Sequence, residues 1–321
     1  VAGPVARRRF CQACALVKTG KKNRTTLTMY FEITHRTAYT YNRPVFLEAH
    51  YLRLRPRCDG LQNLTYFDLK VAPTPLGSSD GIDLDGNVTT NIWFEGLTEG
   101  LVVESRAKVF TRYRNPFHYL LGERADRLPI SYLAPIQAYL APYTVRQNES
   151  HFVEQFARYI ANSTEWKTVR FLTAFNREIY ECCRQTAHEH GAAQPAEETL
   201  LHKSGSPPDL ALLFIEGCRY LGIAARFVNG YHENNGDTGK RYLHSWGEVY
   251  LPGVGWRGYD PSQGLAVTDR HIALAAAGIP FLAAPVIGTF RGNAVTSELN
   301  AEIDIRVEAD NEINLAAAAG A

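Results

Sequence analysis

The sequence predicts an α+β protein in which an antiparallel β-sandwich is followed by a half built from helices and a second sheet. Between Tyr30 and Arg112 apolar and polar residues alternate in successive short runs, and no helical stripe interrupts them. Near Ser131 the spacing becomes helical, and after Gly222 it returns to period two. With 321 residues, 45% of them hydrophobic, the chain is long enough for about two domains with cores of their own.

Residues 1–28 carry seven Lys or Arg and no acid. The run FCQACALV after Arg7, Arg8 and Arg9 is short for a signal peptide, is interrupted by Gln12, and is followed by KTGKKNRTT rather than by small residues. The segment therefore reads as a disordered basic extension. Strands begin after Met29, the only methionine, with Phe31, Ile33, Tyr39 and Tyr41 on one face. His50 to Arg55 and Thr65 to Val71 continue the pattern, with Arg53, Arg55 and Arg57 expected on a solvated face. Asp85-Gly86-Asn87 between alternating runs marks a hairpin, and LVVESRAKVF is a further strand.

The domain layout expected is an extension at 1–28, a β domain at 29–114, a linker at 115–147, a core at 148–310 and a tail at 311–321. The linker is punctuated by proline and has room for one short helix. Phe152, Phe156, Tyr159 and Ile160, then Phe171, Leu172, Phe175 and Ile179, are the apolar stripes of two helices. Cys182 and Cys183 close the second, where buried thiols serve as small hydrophobes. His188 and His190 read as a polar helix end. The uncharged run Ile272 to Phe290 is long enough to span a membrane, but Pro280, Pro285 and its many alanines favour a buried irregular crossover. Alternation from Leu299 to Val307 gives a closing strand.

The stretch from Ala196 to Gly264 carries the chemistry. PPDLALLFIEGCRYLG is a buried helix with Ser206 at the N-cap, Pro207 at its first position, Asp209 in its first turn and Gly222 at its end. Leu243 to Leu251 and Gly255 to Asp260 form a hairpin about Pro252-Gly253, which brings His244 opposite or diagonal to Asp260. Such a pair can activate a nucleophile: the imidazole takes the proton, and the carboxylate fixes its tautomer. Trp246, Glu248 and Tyr250 share the face of His244.

EETLLHKSGSPPDLALLFIEGCRYLGIAARFVNGY, HSWGEVYLPGVGWRGYDPSQG and DRHIAL resemble the bacterial transglutaminase-like family, whose core has the papain-type cysteine protease fold. YFEITHRTAYTYNRPVFLEAHYLRLRPR is similar to the β-rich region that precedes the core in many members. The resemblance implies a Cys-His-Asp triad without metal or organic cofactor, acting on a peptide or protein amide. His244 and Asp260 match the histidine and aspartate, whereas Pro207 stands at the cysteine and Pro208 at the residue after it.

Proline supplies neither a thiol nor a backbone N–H, and that amide is expected to serve the oxyanion hole in this family. Three readings follow. The protein is a pseudoenzyme that keeps its cleft as a binding surface, an active hydrolase or acyltransferase with a displaced nucleophile, or a structural partner in an assembly. Cys218 lies eleven residues along the same helix, about 16 Å away at the helical rise. Ser206 is adjacent, and its role as N-cap suffices to explain it.

Beyond residue 28 the chain holds 27 basic and 33 acidic residues, which argues against nucleic acid binding through a basic face. Cys11 and Cys14 have metal-site spacing, but no second pair follows, so free thiols in a reducing cytoplasm are expected. NNGDTGK only hints at a phosphate-binding loop.

Overall fold

A computed structural model describes residues 27–112, 115–187, 191–233 and 242–311. Cys11, Cys14, His188, His190 and the NNGDTGK segment lie outside the described residues. The long strand β1 (Leu27–Leu47) begins two residues inside the segment expected as an extension. Its alternation puts Met29, Phe31 and Ile33 inward, each at most 5% exposed. It is followed by β2 (His50–Leu52), β3 (Gln62–Ala72), β4 (Gly77–Ile82), β5 (Val88–Trp93) and β6 (Thr98–Arg112). β1 and β6 are antiparallel, with Phe31 opposite Val109, and β3 flanks β6 on its far side. β2, β5 and β4 form a second sheet, and Leu47, Leu52, Ile92 and Val103 are buried between the two. The expected β-sandwich is present.

The chain then forms α1 (Ala134–Leu140), α2 (His151–Ser163), α3 (Thr168–Cys182), β7 (Arg184–Gln185), α4 (Ala196–His202) and β8 (Ser204–Gly205). The central helix is α5 (Pro207–Tyr220), and every residue from Pro207 to Arg219 is buried. Beside it lies a sheet in the order β12 (Leu265–Ala266), β11 (Gly255–Asp260), β10 (His244–Leu251), β9 (Ala225–His232) and β13 (His271–Ala277). Phe171, Phe175, Phe214 and Tyr259 stack from helix to sheet at centroid spacings of 5.2, 5.8 and 5.6 Å. Two glycines permit this approach: a Cβ on Gly217 would lie 2.3 Å from Phe175, and one on Gly247 would lie 2.7 Å from Phe214.

Three expectations are corrected. The run from Ile272 is not irregular throughout, because His271–Ala277 is a wholly buried strand. Covered on both faces, it shows no alternation for a sequence reading to find. The closing strand forms as β16 (Ser297–Asn311), after the short β14 (Val286–Ile287) and β15 (Phe290–Arg291). It pairs with β1, Ile33 opposite Ile305, so the range 148–310 includes a strand of the first sheet. Arg53 is 7% exposed and its Nε donates to Asp83 at 2.8 Å, while Arg57 reaches Glu248 at 3.2 Å, so this face is not simply solvated.

The two halves join along β13. Gln62 donates from Nε2 to the Ala273 carbonyl at 2.9 Å and accepts its N–H at 2.7 Å, and Asn87 does the same for Ala276 at 2.7 and 2.8 Å. Two side-chain amides thus satisfy backbone groups of a buried edge strand. No helix among the described residues is long and apolar enough to cross a membrane.

Candidate functional site

Helix α5 starts as its sequence requires. The Asp209 carboxylate accepts from the Ser206 N–H at 2.7 Å and from its hydroxyl at 2.6 Å, and the capping box is complete. Pro207 occupies the first position, where no N–H is needed for the helix. At the other end Gly222, with φ +75°, lets the Ile223 N–H return to the Cys218 carbonyl at 3.0 Å.

β10 and β11 are a hairpin, but Leu251 faces Gly255 and Gly247 faces Tyr259, so three residues form the loop. In this register His244 is diagonal to Asp260 rather than opposite it. The imidazole nevertheless reaches the carboxylate: His244 Nε2–H donates to Asp260 Oδ2 at 2.6 Å. Both are buried, at 1% and 0% exposure.

Asp260 is the hub of a larger cluster. Its Oδ2 also accepts from His271 Nε2–H at 3.0 Å, and its Oδ1 accepts from the Ser262 N–H at 2.9 Å and hydroxyl at 2.7 Å. Burial opposes ionisation, yet the charge and hydrogen bonds of His244, with those of His271, hold the carboxyl well below the usual carboxylate range. Burial dominates at His271 and lowers its pKa, although Asp260 acts the other way. The His232 ring lies 5.1 Å from that of His244 and 4.5 Å from that of His271. Sequence reasoning missed His271, Ser262 and His232. The signals available for His271 were its place in the DRHIAL stretch and its position as a polar residue opening a long uncharged run.

Nδ1 of His244 and Nδ1 of His271 are both buried without a hydrogen-bond partner. This bears on metal binding, because His244, Asp260 and His271 bring three ligand atoms within 4.8 Å of one another. A cation at both Nε2 atoms would force both ring protons onto Nδ1, where neither finds an acceptor. Protons on Nε2, shared with Asp260, fit the cluster better.

The other sequence candidates separate clearly. Cys218 is fully buried, and burial pushes its thiol well above the ordinary range; it is an inert core residue. Ser206 is engaged by Asp209 and acts as the helix cap. Glu248 is fixed by Arg226 at 2.7 Å and Arg57 at 3.2 Å. Tyr250 packs on Trp256 at 5.5 Å. Trp246 is 1% exposed and crosses His271 edge-on at 5.3 Å. Pro208, Leu243 and Ser245, the neighbours of Pro207 and His244, line a cavity of about 590 Å³ between the core and the first sheet.

A buried helix packed on a hairpin that holds an imidazole against a carboxylate is the arrangement of a papain-type fold. The chain belongs to the bacterial transglutaminase-like family. Residues 31–109 match the bacterial transglutaminase-like N-terminal region, and residues 150–261 match the transglutaminase-like superfamily. A solved structure of a candidate cysteine protease from Cytophaga hutchinsonii superimposes with a TM-score of 0.66 at 17% identity, covering 87% of this chain and 91% of that one. An uncharacterized protein of Mycobacterium tuberculosis is 26% identical over 88% of this chain and 92% of its own length. One from Mycobacterium leprae is 24% identical over 86% and 96%.

Proposed function

We propose that the protein is a pseudoenzyme of the Cys-His-Asp amide hydrolase and acyltransferase class, and that it keeps the family's cleft as a surface for a peptide or protein ligand. The observation that carries this reading is a half-complete relay. His244 is held by Asp260 through Nε2 and its Nδ1 has no partner, while Pro207, the first residue of α5, stands where the sequence resemblance places the family's cysteine. Loss of the thiol removes the nucleophile, and loss of the amide N–H removes a donor worth about 10²–10³ in rate. Neither Cys218 nor Ser206 is placed to substitute, for the reasons of burial and capping given above. The four described cysteines are free, which suits a reducing compartment such as the cytoplasm.

The test compares wild type, Pro207→Cys and Pro207→Cys/His244→Ala in amide hydrolysis and amine incorporation, with thiol alkylation in parallel. The expected result is no turnover by wild type, and in Pro207→Cys a new thiol whose alkylation is accelerated by His244. Pro208→Arg is the companion change, because two prolines leave the first turn short of donors. Wild-type turnover that vanishes in His244→Ala and survives in Cys218→Ala would overturn the proposal.

A further inference from the structure

Alternate residues of β16 give the cavity beside Pro208 one of its walls. Leu299, Ala301 and Ile303 line it, as do Leu212 and Phe227 from the core and Phe281 from the segment after β13. Its volume of about 590 Å³ lies in the range of a ligand site. The rim is apolar and open to solvent: Phe281 is 64% exposed and Ile279 is 52% exposed. A few polar groups face it, among them Thr37, Gln147 and the Ser245 hydroxyl, which donates to Asn229 Oδ1 at 2.7 Å.

Over 297–303, β16 has β1 as its strand partner among the described residues, so its other edge offers backbone donors and acceptors. The residues between those lining the cavity are Glu298, Asn300 and Glu302, and they face away from it; Asp304, next along, is paired with Arg306 at 3.5 Å. Arg36 stands opposite Glu302, but on β1 and so on the side away from the free edge. A strand added at that edge would present one set of side chains to the apolar cavity and the other to an acidic row.

We propose that this cavity and the adjoining edge of β16 bind an extended peptide in which bulky apolar residues alternate with Lys or Arg. Backbone pairing along 297–303 supplies register, the cavity selects the apolar side chains, and Glu298 and Glu302 select the basic ones. The inference rests on the reading of the cleft as a ligand surface, and it specifies the ligand.

The test is fluorescence anisotropy with a short labelled peptide alternating lysine with leucine or phenylalanine, beside a counterpart with glutamate in place of lysine. Wild type should bind the lysine peptide more tightly, with affinity falling as salt rises. Phe281→Ser and Ala301→Arg should each weaken it by about tenfold or more. Glu298→Lys/Glu302→Lys should reverse the preference between the peptides. Phe281 and Glu298 are exposed, so these changes leave folding intact, which the thermal midpoint verifies. Equal binding of the two peptides, indifference to Ala301→Arg, or uptake of an apolar dye that neither peptide displaces would each overturn the proposal. The assay is independent of turnover: His244-dependent catalysis by wild type would refute inactivity without touching this result, and absent peptide binding would refute this inference alone.

Discussion

Replacing Asp260 by Asn changes one oxygen to an amide in a site with no room for solvent, and it should be among the most damaging single substitutions in the core. The side chain accepts four hydrogen bonds, two from imidazoles at 2.6 and 3.0 Å and two from Ser262 at 2.7 and 2.9 Å. Asparagine can keep the Ser262 pair through its remaining oxygen. Its NH₂ then meets the two Nε2–H groups donor to donor, and both rings must shift their protons to Nδ1, where each becomes a buried donor without an acceptor. Each hydrogen bond to a charged acceptor is worth about 1.5–3 kcal/mol, so losing two costs about 3–6 kcal/mol. That is a large share of the roughly 5–15 kcal/mol that holds a typical native protein together. Urea unfolding followed by tryptophan fluorescence should show a clearly lower midpoint, with Ser262→Ala, which removes one of the four bonds to the carboxylate, costing about 1.5–3 kcal/mol. A loss below about 1 kcal/mol for Asp260→Asn would mean that the cluster is not the electrostatic hub its geometry describes.

Two further outcomes can be checked. His35 is buried against Tyr231 at 3.0 Å, and burial pushes its pKa down to about 4. The unfolded chain takes up that proton near pH 6.5, so the contribution of about 3 kcal/mol is complete above about pH 6.5 and is lost as pH falls toward 4. Urea midpoints at about pH 7 and pH 4.5 should differ accordingly, and His35→Gln should reduce the difference, leaving the part due to His271 and His50, whose pKa values burial also lowers; the depressed carboxyl of Asp260 acts in a separate window, losing its contribution only below about pH 4. In the native protein, iodoacetamide should label exposed Cys58 and leave Cys218 unlabelled until unfolding, with peptide mass spectrometry reading the sites. Labelling of Cys218 in folded protein would refute its assignment to the inert core.

What the sequence determined by itself was whatever short-range chemistry encodes. Alternation in β1, the Ser206-Pro207-Asp209 start of α5, its Gly222 stop and the two runs about Pro252-Gly253 are local signals, and each became the expected element. His244 and Asp260 were legible together because a hairpin fixes which residues approach across it, and the three-residue loop selects the diagonal of the two expected relations.

Tertiary structure alone decided the rest. β16 joins β1 across more than 250 residues of chain, and its period-two pattern is the same whichever sheet receives it. β13 is apolar on both faces and carries no period, so neither its strand character nor the convergence of His271 on Asp260 could be read locally. The amides of Gln62 and Asn87 are ordinary polar residues in sequence, and they become substitutes for a strand's neighbour only where folding brings β13 beside them. Local propensity and spacing act over a few residues, whereas burial and hydrogen-bond satisfaction depend on which distant segments the fold brings together.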